Sequence, residues 1–360
     1  MSEDDGLKKH RDAIDALDRE ILARLSERAR HAQAIGKLKE GTGAPAYRPE
    51  REAQVLAKLA AENPGPLSGE AVAVVFRQIM AACLALERRL AIAYLGPAGT
   101  FTHAAVARHF GAFVDAVPQG TIDEVFRAVE AGRCDYAVVP VENSTEGAVG
   151  RTLDLMCTTD LSVVGEVKLR VQQNLLTRAA DLGAVTRVYS HAQSFAQCVQ
   201  WLAANLAGVP RIVVASNAEA ARLAAAEPSA AAIAGENAAS TYGVPVLAPH
   251  IEDDPNNRTR FWVLGRQQVG RSGNDETSLV MSAPNRPGAV HALLEPLATH
   301  GVSMTRIESR PARTGRWEYL FFIDLTGHRE DPPVAAALAE LAVRAPFLKL
   351  LGSYPAAREP

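Results

Sequence analysis

From Leu7 to about Glu40 apolar positions recur at spacings of three and four, at Ile14, Leu17, Ile21, Leu25, Ala29, Ala32 and Ile35, with no proline between them. That period predicts one long amphipathic helix. Gly41, Gly43 and Pro45 interrupt it. Helical spacing resumes over 49–62, the AENPGPLSG stretch breaks the chain, and a third helix is expected over 69–89. Residues 1–91 therefore read as all-helical.

At Ala91 the texture changes. The short apolar runs IAYL, YAVVP, SVVGEV, RVYS, RIVVA, AAAIA and RFWVL alternate with helical stretches, the signature of an α/β domain over 92–267. QQVGRSGNDE is polar and glycine-containing and predicts a flexible linker. A smaller α+β unit is expected over 276–354. It runs strand TSLVMSA, a helix after Gly288, strands VSMTRIESRP and WEYLFFIDL, a helix from Pro332 and strand FLKLLGSY. That βαββαβ order is the ferredoxin-like split unit.

Composition narrows the function. A chain of 360 residues with a formal net charge of −3 suits a multi-domain protein and argues against nucleic acid as partner, which would call for a basic excess. The polar start and the lack of any run near the ~20 apolar residues of a bilayer span predict a cytoplasmic protein without a membrane. Cys83, Cys134, Cys157 and Cys198 lie far apart with no CxxC pair, so reduced core thiols are expected and no metal site.

Arg11, Arg28, Lys39 and Arg51 stand out in the helical segment. Taken singly, each would be a solvated helix face. On an ideal helix, however, Arg28 and Lys39 are about 20° apart around the axis and about 16 Å apart along it, so both side chains can converge on one small anion. Arg11 lies about 25 Å from Arg28 and about 100° away, so it can serve that site only from a second chain packed antiparallel. A homodimer with shared sites follows.

The order Arg11, Arg28, Lys39, Arg51, Glu52, within LDREILARLSERA, AIGKLK and YRPEREAQVL, resembles the all-helical chorismate mutases. The resemblance implies that Lys39 and Glu87 address the ether oxygen of chorismate. It gives the carboxylates to Arg28, Arg51 and the partner's Arg11, and the hydroxyl to Glu52. The rearrangement to prephenate then needs only restraint and positive charge aimed at a developing oxyanion. Glu87 can donate to that oxygen only while protonated.

Four polar fragments of the α/β segment follow strands, where open sheets bind ligands: LGPAGTFTHAA, VPVENSTEGAV, YSHAQSFAQC and NRTRFWVL. The first suits a carboxylate or phosphate at a helix start, although a plain turn has the same composition. Glu142, Asn143 and Ser144, and likewise Ser190, His191 and Gln193, can equally be turns with their own hydrogen bonds. No GxSxG elbow and no cysteine near His191 supports a nucleophile.

Together, and with Thr259, Arg260 and Phe261, the four fragments resemble prephenate dehydratases. The resemblance implies two lobes like those of periplasmic solute-binding proteins, the second over about 171–246, with the site in the cleft and no cofactor. Thr259 would polarise the leaving hydroxyl, with Glu142 the acid if burial raises its pKa. Thr100, Asn143, Ser144, Ser190, His191, Gln193, Arg260 and Phe261 would hold the substrate, Arg260 being either a carboxylate partner or structural.

Asn285, Arg286, Pro287, Gly288, Ala289 and Val290, with Glu308, Ser309, Arg310 and Pro311, resemble the two phenylalanine-contacting motifs of the ACT regulatory domain. Such domains pair side by side and bind the amino acid between them. The three resemblances in this order imply a bifunctional enzyme of phenylalanine biosynthesis that takes chorismate through prephenate to phenylpyruvate under phenylalanine feedback. An arogenate-preferring dehydratase and a non-catalytic amino-acid sensor are the competing readings.

Overall fold

The computed structural model describes residues 3–39, 45–284, 286–311 and 319–357. The chain forms two compact units, Met1–Arg48 with Val55–Leu90 and Phe110–Val114, and Pro49–Gln54 with Ala91–His109 and Asp115–Pro360.

The helices of the N-terminal segment are α1 (Glu3–Lys39), α2 (Pro49–Glu62) and α3 (Gly69–Glu87). Pro49 opens α2 without losing a hydrogen bond, and the Ser68 hydroxyl caps α3 by accepting from Ala71 N at 3.1 Å. α3 ends two residues before the expected Arg89, and Glu40 lies outside the described residues. On α1 the apolar stripe is uncovered within the chain: Ile14, Leu17 and Ile21 are 55%, 56% and 55% exposed. Contrary to the sequence expectation, α3 is long and apolar enough to cross a membrane by length and composition. Ala73 and Cys83 are its buried residues, while Val74, Val75 and Leu86 stand exposed.

In the second unit a first lobe comprises β1 (Ala91–Leu95), α4 (Phe101–Phe110), β2 (Asp115–Gln119), α5 (Ile122–Glu130), β3 (Tyr136–Asn143), β4 (Gly147–Ala148), α6 (Gly150–Met156) and β5 (Ser162–Arg170). A second lobe follows, with β6 (Asn174–Thr177), β7 (Arg187–Ser190), α7 (Ala192–Ala196), α8 (Val199–Asn205), β8 (Arg211–Val213), α9 (Asn217–Ala226), β9 (Ala230–Ala234), α10 (Glu236–Tyr242) and β10 (Val246–Ala248). The chain then returns as β11 (Arg258–Gly265), antiparallel between β3 and β5, in a sheet ordered β2-β1-β3-β11-β5 with β4 beside β3. The second sheet is ordered β10-β6-β9-β7-β8.

The first core forms where α5 lays Val125, Phe126, Ala128 and Val129 against Val139, Val141, Trp262 and Leu264 of the central strands. Each buried valine, leucine or phenylalanine among them contributes about 1.5–3 kcal/mol relative to exposure. In the second lobe the alanine and isoleucine run of β9 is wholly buried. Ala232 and Ala234 pack with Ala220, Ala221 and Ala224 of α9, small residues that let the helix pack close, and Ala231 and Ile233 with Phe195 and Leu202 on the other face.

The C-terminal elements are β12 (Asp275–Ala283), α11 (Ala289–Thr299), β13 (Met304–Pro311), β14 (Tyr319–Thr326), α12 (Pro332–Arg344) and β15 (Phe347–Pro355), with sheet order β13-β14-β12-β15. One face packs on α11 and α12 through Leu279, Met281, Leu293, Ile323 and Leu341. The other carries Val280, Phe322, Leu351 and Tyr354, which share a single cluster with Leu153, Met156 and Trp262 of the first lobe. The two sheets approach so closely that a Cβ on Gly352 would overlap the Val163 backbone.

The expected flexible linker is instead a fixed strap. Val269 is buried, its carbonyl lies 3.0 Å from His328 Nε2, and the Arg271 carbonyl accepts from Gln54 Nε2 at 2.9 Å. Asp275, already in β12, accepts from the backbone N–H groups of Ser272 and Gly273 at 2.9 and 3.1 Å. Polar composition signalled a loop but not that its polar groups would be tied down locally.

Candidate active sites

Arg28 and Lys39 are half-buried on α1, whereas Arg11 lies on its exposed portion. Arg51 and Glu52 occupy the first turn of α2. Glu87, the last residue of α3, rests on α1 at Gly36, where a Cβ would lie 2.6 Å from its Cγ. Only glycine there admits the carboxylate, one turn before Lys39.

Two of the dehydratase-like fragments, VPVENSTEGAV and NRTRFWVL, meet on β3 and β11, where Asn143 stands directly opposite Thr259. Asn143 is buried and its side chain is fully employed. Nδ2 donates to Thr259 Oγ1 at 2.9 Å and to Asn257 Oδ1 at 2.9 Å, while Oδ1 accepts from Thr145 Oγ1 at 2.6 Å and from the N–H groups of Thr145 and Glu146 at 3.1 and 3.2 Å. With one lone pair of Oγ1 so occupied, the Thr259 hydroxyl keeps its proton for an external acceptor.

Several expectations for this site are corrected. Glu142 and Arg260 face each other one residue away from the Asn143–Thr259 pair, so their side chains leave from the opposite face of the sheet. Glu142 is ion-paired with Arg306, and Arg260 with Glu166 and Asp324. Held by Arg306 on that face, Glu142 does not stand beside the Thr259 hydroxyl as its acid. Arg260 is a structural arginine rather than a substrate ligand: burial opposes its charge, but Tyr354, Asp324 and Glu166 hold it protonated. Phe261 is buried in the core.

The hydroxyls of Thr100, Ser144 and Ser190 are also spent internally. Thr100 Oγ1 donates to Leu95 O or Pro97 O at 3.2 and 3.1 Å and accepts from His103 N at 3.3 Å. Ser144 Oγ accepts from Arg258 N at 2.9 Å, pinning the start of β11. Ser190 is fully buried and donates to Ile233 O or Asn217 Oδ1, both at 3.2 Å. His191 caps α7 through Nδ1, which accepts from Gln193 N at 3.3 Å, leaving Nε2 as the outward N–H. Gln193 is half-buried on the same turn.

Residues that the motifs did not single out build the scaffold of this site. Asn217 Oδ1 accepts from His191 N at 3.1 Å and its Nδ2 donates to Ser194 Oγ at 2.7 Å, while Gln173 donates to Ser194 Oγ at 3.0 Å. Asn237 Nδ2 donates to Thr100 O at 3.3 Å and the Tyr242 hydroxyl to Ala98 O at 2.9 Å, which ties α10 of the second lobe to the loop before α4. Gly99, at φ +88, allows this approach, since a Cβ would meet Tyr242 and Ala238. Asn217, Gln173, Asn237 and Tyr242 come from stretches without a local signal, whereas Gly99, Ser194 and Asn257 lie within the polar fragments that follow strands. Burial lowers the pKa of His103, which stacks on Tyr94 at 5.0 Å between centroids.

On the C-terminal unit Gly288 precedes α11 at φ +74, the left-handed conformation that favours glycine, with Pro287 before it and Ala289 and Val290 opening the helix. Asn285 lies outside the described residues. Ser309 is exposed on β13, and Glu308 alternates with it towards the other face. Arg310 does not serve a ligand: it is ion-paired with Asp154 at 3.1 Å and lies over Gly150 of α6, where any Cβ would overlap its guanidinium.

Residues 92–269 match the prephenate dehydratase family, 10–88 the chorismate mutase type II family and 277–343 the ACT domain. Over 357 residues, 98% of each chain, the sequence is 54% identical to a bifunctional chorismate mutase/prephenate dehydratase of Neisseria gonorrhoeae. It is 50% identical to one of Stutzerimonas stutzeri over 99% of this chain and 100% of the other. The crystal structure of a prephenate dehydratase from Arthrobacter aurescens in complex with L-Phe superposes with a TM-score of 0.68 at 35% identity, covering 74% of this chain and 90% of that one.

Proposed function

The chain belongs to the bifunctional chorismate mutases/prephenate dehydratases, and from that premise we propose how its residues divide the work. It is an enzyme that rearranges chorismate to prephenate and converts prephenate to phenylpyruvate, under control of an ACT domain. The modules span 1–91, 92–267 and 276–354. Prephenate, rather than arogenate, is the second substrate, and phenylalanine the feedback ligand.

In the mutase Lys39 and Glu87 address the ether oxygen as its C–O bond breaks, Arg28, Arg51 and the partner's Arg11 hold carboxylates, and Glu52 takes the hydroxyl. The uncovered Ile14, Leu17 and Ile21 stripe of α1 supports a homodimer in which a second copy covers α1 and α3, and we assign that dimer to the cytoplasm.

In the dehydratase the observation that carries the reading is the Asn143–Thr259 hydrogen bond, which leaves one aimed proton on the Thr259 hydroxyl. Expulsion of a ring hydroxyl, as carbon dioxide departs and the ring becomes aromatic, needs such a donor. The outward Nε2–H of His191 and the Gln193 amide bind carboxylate or carbonyl groups. Phenylpyruvate formation with purified prephenate and with arogenate tests this: the enzyme turns over prephenate with the higher kcat/KM, and a preference for arogenate would overturn the assignment of substrate.

A further inference from the structure

β3 and β11 are registered so that Asn143 stands opposite Thr259 and Glu142 opposite Arg260. Because successive strand residues point to opposite faces, the first pair faces away from the regulatory sheet and the second pair faces it. The regulatory sheet answers with a pair of its own, Arg306 on β13 opposite Asp324 on β14. The four charges alternate: Arg306 is ion-paired with Glu142, and Arg260 with Asp324 at 2.5 Å. Arg260 is further held by Glu166 and by Tyr354 Oη at 3.2 Å, and lies 5.6 Å from the centre of the Trp262 ring.

The Arg260, Glu166 and Asp324 part of this set is buried and the Arg306–Glu142 pair is partly exposed. Such links add little net stability, because desolvation or screening offsets the attraction, but breaking one leaves a charge without its partner, so the set fixes geometry. The residues it fixes are the sequence neighbours of the two residues that orient the leaving-group donor, one on each strand.

We propose that Arg306 and Asp324 are positioning residues for the dehydration: gripping Glu142 and Arg260 from the regulatory sheet, they set the backbone of the adjacent Asn143–Thr259 pair and so the direction of the Thr259 hydroxyl. The inference rests on the assignment of Thr259 as the donor to the leaving group. It gives the regulatory domain a part in catalysis even without its ligand. It also places the regulator's hold on the reaction at β13, three residues from Ser309.

The test is steady-state kinetics of the full-length enzyme. Arg306→Met keeps the apolar stem and removes the charge; it should lower dehydratase kcat about tenfold, the scale of a small misplacement of a catalytic group, with KM for prephenate changed less than about twofold. Mutase turnover should stay at the wild-type level and serves as the control for folding. Arg306→Lys should recover part of kcat. Glu142→Gln should mimic Arg306→Met, and the double variant should fall no further than the worse single one, because both cut the same link. Wild-type kcat in Arg306→Met, or independent losses that multiply in the double variant, would overturn the proposal. A wild type active on prephenate but indifferent to Thr259→Ala would instead strike the assignment of the donor, and this inference with it.

Discussion

The amide of Asn143 donates to the hydroxyl of Thr259 at 2.9 Å across two antiparallel strands that the chain visits 116 residues apart. One residue stands at the end of a strand entered early, the other at the start of the strand on which the chain returns from its second lobe. Their meeting is a consequence of topology.

Thr259→Ala should lower dehydratase kcat by roughly 10² to 10³, the range for losing one well-placed donor, with a smaller effect on KM. Asn143→Ala should do less, since it frees the hydroxyl to rotate without removing it. Single-turnover rates with prephenate check both, and a Thr259→Ala enzyme as fast as wild type would remove this hydroxyl from the mechanism.

Lys39→Ala should abolish most mutase activity while sparing dehydratase turnover of supplied prephenate. Mixing Lys39→Ala with Arg11→Ala chains should restore part of the mutase activity, because one site of each hybrid dimer receives both wild-type residues. Verified hybrids without recovery would place Arg11 in its own chain's site.

Stability should fall as pH rises from about 5 to about 7.5. Burial, with Glu166 and Asp324 nearby, pushes Glu276 from its ordinary 4.5 up to about 7, although Arg260 and a hydrogen bond from Thr305 oppose the shift. A raised carboxyl means that the folded chain binds this proton more tightly than the unfolded one. Its contribution, on the order of 3 kcal/mol, is thus present at low pH and lost as pH climbs to about 7. Glu276→Gln should flatten that part of the Tm–pH curve, as calorimetry from pH 5 to 8 would show; an unchanged slope would exclude this group.

Gly288→Val should weaken phenylalanine inhibition and leave uninhibited dehydratase activity close to wild type. A β-branched residue is strained at φ +74 although open space surrounds the position, so the turn rather than the core must give way. Titration of phenylalanine against activity, with calorimetric binding, decides; full sensitivity would refute the role of this turn.

Sequence periodicity located α1, α2 and α3 to within a few residues and the order of the C-terminal unit, because apolar spacing is a local property. Motif resemblance brought out Asn143 and Thr259. It failed where facing mattered: Glu142 and Arg260 sit beside them in sequence yet leave from the other side of the sheet, and Arg310 clamps Asp154 instead of a ligand. No motif marked Arg306, whose role depends on a partner 164 positions earlier in the chain.

The apolar seam that joins Leu153, Met156 and Trp262 to Val280, Phe322 and Leu351 also limits how such an enzyme can escape its own control. A chain shortened before the strap would bare that seam and leave Arg260 without Asp324 and Glu142 without Arg306, and would aggregate rather than run unchecked. Overproducing strains selected against a toxic analogue of the end product should therefore carry single substitutions around the Gly288 turn or Ser309, and not truncations.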